Sequence, residues 1–125
     1  MPYITEADKQ RLTEEPEFAR TAGELTYLVT YHILGLPVYD PYLDTAVDQE
    51  VEAYVEYHKN NGGVNYAVLS SVIGALECAR REFKRRRPDD HMLAYYVLTR
   101  AEDRFYDNVI APYEDTKIEQ NGDVF

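Results

Sequence analysis

The chain lacks the residues that hold many small domains together through covalent bonds or metals. Its single cysteine, Cys78, cannot form an internal disulfide, and a reducing compartment is its natural setting. The three histidines, His32, His58 and His91, form no pair at the spacing of zinc ligands on one helix. Cysteine nucleophilic catalysis would need a converging histidine, and a small, buried Cys78 is the favoured interpretation. We therefore predict no metal, no cofactor and no disulfide.

Long hydrophobic runs are also missing. No apolar segment approaches the roughly 20 residues of a membrane-spanning helix. Residues 1–6 are followed by charged residues, with no apolar core of a signal peptide. The content of 45% hydrophobic and 29% charged residues is typical of a globular chain, and 125 residues suffice for one domain. We predict a single domain spanning residues 1–125, located in the cytoplasm, with no membrane partner.

Basic residues are scarce overall but concentrated in one part of the chain. The net charge of −10 disfavours attraction of the whole surface to nucleic acid or anionic lipid. Residues 77–104, however, hold eight Lys/Arg and six Asp/Glu, whereas the remainder holds five bases and 17 acids. A basic band on an acidic protein can bind an anion, or it can bind the acidic face of another copy. Self-association is the simpler explanation and predicts a homodimer or a higher homo-oligomer.

The aromatic composition is dominated by one residue type. There are 12 tyrosines, four phenylalanines and no tryptophan. A tyrosine has an apolar ring and a hydroxyl that needs a partner when buried, which suits interfaces and ligand clefts. The alternative is that these rings surround the edge of a small helical core. The excess by itself is compatible with both interpretations.

Helix signals recur along the whole chain, and no segment shows the alternation of a β-strand. Thr5 caps a first helix that Pro16 ends, and Thr21 to Glu24 fits a capping box for a helix that stops at Gly35. Residues 36–44, with two prolines, are predicted to be an extended loop. Further helices are predicted over residues 45–59, 65–86, from Asp89 or Asp90 to before Pro112, and over a short 113–119 segment. The fold class is therefore all-α, a compact bundle of about five helices.

Apolar spacing indicates which helix faces form the core. The strongest stripe belongs to the 65–86 helix, and it comprises Val68, Leu69, Val72, Ile73, Leu76, Ala79 and Phe83. The apolar residues predicted for the last long helix are Met92, Leu93, Tyr96, Val97, Phe105, Val109 and Ile110. Gly74 interrupts its helix at a cost of about 1 kcal/mol relative to alanine, which predicts the close approach of another helix. Asp44, Asp48, Glu52 and Glu56 recur every four residues, as on a solvated helix face.

Three blocks of sequence resemble a known family. They are AGELTY at residues 22–27, IGALECARREF at 73–83 and APYEDTKIEQNGDVF at 111–125. These blocks are similar to those of a family of small, functionally uncharacterised all-helical proteins of bacteria and phages. In that family the second block runs almost directly into the third, so the segment from about Arg86 to Arg104 is a departure from the pattern. The candidate family site that the resemblance implies consists of Glu77, Glu82, Tyr113, Glu114, Asp115 and Lys117.

Two function classes follow from these residues. On one helix end, Arg80, Arg81, Lys84, Arg85 and Arg87 form a band that can bind a phosphate bidentately, or can simply offset the helix dipole. The preferred hypothesis is a non-catalytic, homo-oligomeric binding module for a phosphate-bearing ligand, either a nucleotide or a nucleic acid. The alternative is a metal-dependent nucleotide phosphohydrolase using carboxylates near Glu77, Glu82, Glu114 and Asp115. Four carboxylates converging in one cleft would favour the enzyme, and dispersed, arginine-paired carboxylates the binding module.

The last segment is predicted to be a docked clasp. Asn121-Gly122 is a turn signal that directs Val124 and Phe125 back toward the helices. Glu114, Asp115 and Lys117 are spaced to pair with charges elsewhere, and the Arg81–Arg86 stretch is the nearest source of bases in the sequence. The prediction is that these pairs and the apolar end hold the tail against the protein.

Overall fold

The computed structural model describes residues 4–14, 18–35, 41–89 and 91–122. These residues form helices without any strand, which confirms the all-α class. Within these residues there are five continuous helices, because the chain is helical without a break from His91 to Asn121. The segments are α1 (Glu6–Glu14), α2 (Ala22–Leu34), α3 (Pro41–Asn60), α4 (Tyr66–Arg86), α5 (His91–Phe105), a π-helical segment (Tyr106–Ile110) and α6 (Ala111–Asn121).

Side-chain caps set the starts of three helices where the sequence predicts them. The Thr5 hydroxyl accepts from the Asp8 amide at 3.1 Å, and the side-chain oxygen of Asn65 accepts from the Val68 amide at 3.0 Å. Thr21 accepts from the Glu24 amide at 3.1 Å. The reciprocal half of a capping box differs, since the Glu24 carboxylate accepts from the amide of Arg20 rather than from that of Thr21. Local chemistry is therefore sufficient to begin α1, α2 and α4.

Two prolines are placed differently from the prediction. Helix α3 begins at Pro41, not at Thr45, so residues 41–44 are helical and only 36–40 of the predicted loop lie outside the described residues. Proline is well suited to the first helical position because its missing N–H would have no partner there. Pro112 does not end the last helix, because the chain passes through the π segment and continues as α6. The wider π turn accommodates a proline ring that would clash in a regular α-helix.

The core lies around α4, which packs mainly against α2 and α5. The predicted α4 stripe is largely buried, with Val72, Leu76 and Ala79 fully enclosed. On α5 the prediction is partly wrong: Val97 and Phe105 are buried, but Met92 and Tyr96 are exposed. The buried line of α5 instead runs through Val97, Leu98, Ala101 and Phe105. Met92 and Tyr96 lie on another side of the helix, and they are free to take part in a surface site.

The prediction of a close helix approach at Gly74 is wrong. A β-carbon built at this position would meet no atom within 4 Å, apart from its own helix neighbours. Glycine here relieves no crowding, and it retains the backbone entropy cost that any mid-helix glycine has.

Gly74→Ala is accordingly expected to raise the free energy of unfolding by about 0.5–1 kcal/mol, because alanine restricts the unfolded chain and fits the open space. Urea titration of both proteins measures the difference. Gly62→Ala is the opposite control, since Gly62 has a φ of 105° that alanine adopts only with strain, so this change should destabilise. A lower midpoint for Gly74→Ala would show that a neighbour does approach this position.

Candidate anion-binding site

A surface pocket lies between the end of α4 and the beginning of α5. It has a volume of about 390 Å³ and is lined by Arg80, Arg81, Lys84, Met92 and Tyr95. Arg80 and Lys84 lie one turn apart on the same side of α4, and Arg81, three residues before Lys84, lies next to them. The Met92 side chain and the Tyr95 ring line the pocket from the first two turns of α5. Among the residues that the structure describes, each one lining this pocket is cationic, aromatic or apolar, and their electrostatic potential favours an anion.

Arg80 is the most firmly placed of the three cations. Its guanidinium carbon lies 5.6 Å from the centroid of the Tyr95 ring, in a cation–π contact. Burial and then the Glu77 carboxylate raise the pKa of Glu102, while the charge of Arg80 opposes this shift. One oxygen of Glu102 is buried, and it has no hydrogen-bond partner among the described residues. Arg80 therefore contacts the Tyr95 ring, and its charge acts on the Glu102 carboxyl group.

Arg81 and Lys84 are the two exposed cations of the pocket. Within the described part of the chain, neither forms an ion pair with a carboxylate. Such bases remain hydrated and available, and Arg81 can donate two parallel hydrogen bonds to a phosphate. A phosphate group in the pocket would thus meet Arg80, which lies against the Tyr95 ring, and the two exposed cations Arg81 and Lys84.

The other two residues predicted to bind an anion lie outside the pocket. Arg85 is 3.9 Å from the Glu82 carboxylate, and Arg86 is 3.4 Å from the same group. Arg87 follows the last turn of α4, where its backbone amide donates to Phe83 at 2.8 Å. At these positions the interpretation as dipole compensation and local pairing applies. The predicted band of five residues therefore divides into a pocket of three and a helix end of two.

The six candidate family residues are not brought together into one site. Glu77 acts electrostatically on Glu102, and Glu82 pairs with Arg85 and Arg86. Glu114 on α6 lies 3.5 Å from the Tyr106 hydroxyl and raises its pKa. Over residues 4–14, 18–35, 41–89 and 91–122, no group of three or more His, Cys, Asp or Glu side chains could hold a metal ion. The carboxylates are dispersed, which is the arrangement stated above for a binding module.

The tail is not held in the way the sequence suggested. Helix α6 has no buried residue and continues directly from the π segment. Lys117 lies over the Tyr113 ring at 5.5 Å, while Arg85 and Arg86 pair with Glu82. The described residues therefore do not show the predicted pairing between the tail and the Arg81–Arg86 stretch. Val124 and Phe125, the apolar end of the predicted clasp, lie outside the described residues.

Two of the three histidines and the first half of the acidic ladder have structural partners, while the side chain of His91 lies outside the described part of the structure. His32 Nε2 is 3.1 Å from Glu50, and His58 Nε2 is 2.9 Å from the carbonyl oxygen of Arg20. Cys78 is half-buried rather than buried. The first two acids of the ladder do not form the solvated face that their spacing predicts. Asp44 pairs with Arg100 at 3.3 Å, and Asp48 pairs with Arg104 at 2.9 Å. The first half of the ladder is thus occupied in joining α3 to α5.

Met92 and Tyr95 are the pocket residues that sequence reasoning missed. Apolar spacing predicts Met92 to be a core residue, and the sequence predicts no role for Tyr95. The sequence does contain a signal for this surface. Tyr95 and Tyr96 lie three and four residues after Met92, so the three side chains share one side of α5. The buried line of Val97, Ala101 and Phe105 lies on another side. An aromatic helix face beside a cluster of bases on the preceding helix is typical of a ligand site.

Comparison with protein families, curated proteins and solved structures finds no match for this chain. The resemblance to the family of small bacterial and phage proteins therefore stays a prediction. Among the described helices, none combines the length and the apolar character needed to cross a membrane.

Proposed function

We propose that this protein is a non-catalytic, homo-oligomeric binding module whose ligand carries phosphate, as a nucleotide or a nucleic acid, and binds between α4 and α5. One observation carries the proposal: Arg80, Arg81 and Lys84 line one pocket together with the Tyr95 ring, and no acid lines it among the residues that the structure describes. The cations suit a phosphate, and the exposed ring suits stacking of a base. These are the two chemical parts that every nucleotide offers.

The overall charge of −10 does not oppose this local attraction. Fields from exposed acids farther away than about 10 Å are largely screened at ordinary ionic strength, whereas the three pocket cations act at contact distance. The rival hydrolase requires carboxylates that converge on phosphate-bound metal ions. Glu82 is instead paired with arginines, and Glu114 lies against Tyr106. The geometry therefore supports binding better than hydrolysis.

The direct experiment is fluorescence anisotropy with two probes, a fluorescent ATP analogue and a fluorescein-labelled single-stranded oligothymidylate, over a series of salt concentrations. Binding should weaken as salt rises, because the bases release counterions from phosphates. Saturable binding of either probe supports the proposal, and the preferred probe identifies the ligand class. The absence of saturable binding of both probes at low salt would overturn it, and release of phosphate from ATP in the presence of Mg²⁺ would support the hydrolase instead.

Self-association is the second part of the proposal. Several aromatic rings stand on the surface, among them Tyr31, Tyr66 and Tyr96, each more than half exposed. Aromatic side chains of this kind are enriched at protein interfaces. Light scattering after gel filtration is expected to give a mass of at least twice 14.5 kDa. A monomeric mass at micromolar concentration would contradict the oligomer and leave the pocket to act in a single chain.

A further inference from the structure

A second surface site follows from the way α3 and α5 run side by side. The pairs Asp44–Arg100 and Asp48–Arg104 have the same sequence separation of 56 residues. Equal separation on two helices means that they run parallel and in register, with one ion pair for each turn. Each acid on this face of α3 therefore has a matching position on α5, and the register can be extended to the next turns.

The matching series of bases stops after Arg104. One turn later the chain enters the π segment, where Asn108 stands at the position that follows Arg100 and Arg104 in the same spacing. The acids of α3 nevertheless continue with Glu52 and Glu56. Both are exposed, and within the described part of the chain neither carboxylate has a hydrogen bond or an ion pair. Two carboxylates, one helical turn apart, are thus left without the bases that serve the two turns before them.

A groove opens at the point where the bases stop. It has a volume of about 430 Å³, and Glu52 and Glu56 stand at its edge with Asn108. Its apolar lining consists of Val51, Val55, Ala101, Phe105 and Val109. The Asp48–Arg104 pair also lines the groove. A π turn commonly marks a functional position in a helix, and here it contributes both Asn108 and Val109 to the groove.

The lining of this groove selects one kind of partner. Carboxylates at i and i+4 match two bases that are also one helical turn apart. The apolar floor between the helices matches the stripe of a second, amphipathic helix. A polyamine matches the charges alone, since it has no apolar face to place over Val55, Phe105 and Val109. A groove with an apolar floor and an acidic edge therefore fits a basic, amphipathic helix better than a small polycation.

We propose that the groove formed by α3, α5 and the π segment is a docking site for an amphipathic helix of a partner protein, which carries two Lys or Arg side chains four residues apart beside an apolar stripe. These bases complete the ion-pair series of Asp44 and Asp48 by pairing with Glu52 and Glu56. The site is separate from the pocket of Arg80, Arg81 and Lys84, and it does not depend on the proposed ligand there.

The experiment uses a fluorescein-labelled helical peptide with a leucine stripe flanked by lysines four residues apart, titrated with the whole protein. Binding should weaken about tenfold or more in Glu52→Gln/Glu56→Gln, because both interhelical charge pairs are lost. The matched control is Asp89→Asn/Glu119→Gln, which removes the same charge from exposed positions outside the groove and should bind like the unchanged protein. A second peptide keeps the lysines and replaces the leucines by serine, and it should bind weakly to every variant.

NMR locates the peptide independently of affinity. Methyl signals of Val55 and Val109 should shift on titration, while those of the core residue Val72 should not. Equal weakening in both double variants would show attraction to the net charge alone and overturn the proposal. If the serine peptide binds as tightly as the leucine peptide, or if spermidine displaces the leucine peptide, the groove is a polycation site instead. Conversion of an oligomer to a monomer by Glu52→Gln/Glu56→Gln would identify a second copy of this chain as the occupant, and no detectable peptide binding also refutes the proposal.

Discussion

Reversing two charges in the pocket between α4 and α5, with Arg81→Glu/Lys84→Glu, is expected to weaken binding of the labelled oligonucleotide or ATP analogue by at least about 100-fold. A hydrogen bond to a charged group contributes about 1.5–3 kcal/mol, and a factor of 100 corresponds to about 2.7 kcal/mol. Loss of two cationic contacts, with repulsion added, therefore suffices. Both side chains are exposed, so the fold should tolerate the change. Anisotropy titration gives the affinity, and circular dichroism verifies the helix content.

The matched control is Arg85→Glu/Arg87→Glu, on the same helix end but outside the pocket. It makes the same change in net charge and should weaken binding only several-fold, because its effect acts through a screened field. Equal losses in the two double variants would show that the charged helix end, rather than the pocket, attracts the ligand. An unchanged affinity in Arg81→Glu/Lys84→Glu would remove the pocket from the proposed function altogether.

The second large effect concerns stability and the carboxylate that joins the first two helices. Glu24 is 7% exposed, and its two oxygens accept from Arg11 Nη2 and from the Arg20 amide, each at 2.9 Å. Glu24→Ala leaves a guanidinium and a backbone N–H without this acceptor. The free energy of unfolding should fall by about 2–4 kcal/mol, a large part of the 5–15 kcal/mol typical of a domain.

Urea titration measures this loss, and two further variants define its origin. Glu6→Ala removes an exposed carboxylate 3.3 Å from Lys9 on α1, and it should cost less than about 1 kcal/mol. Glu24→Gln keeps one acceptor oxygen and should lie between the unchanged protein and Glu24→Ala. A midpoint that does not move in Glu24→Ala would mean that water replaces the carboxylate at both donors, so the contact would not stabilise the junction of α1 and α2.

Most of the fold was predictable because its signals are local. Thr5, Thr21 and Asn65 cap helices through atoms three residues away, so a short stretch of sequence contains both donor and acceptor. Pro41 and Pro112 were misread because a proline is compatible with the beginning of a helix as well as with its end. Gly74 was misread because the cost of a glycine in a helix says nothing about what lies opposite it.

The residues themselves determined the all-α class, three of the helix starts, the α4 core stripe and the concentration of bases at the end of α4. Only the tertiary structure decided how those bases divide between a pocket and a set of local ion pairs. Arg80, Arg81 and Lys84 line the pocket with Tyr95. Arg85 and Arg86 pair with Glu82. The tertiary structure also decided that Asp44 and Asp48 meet arginines 56 residues away while Glu52 and Glu56 do not. The reason is physical: helix formation depends on neighbours within four residues, whereas a site between helices depends on their register and on which faces the core has already covered.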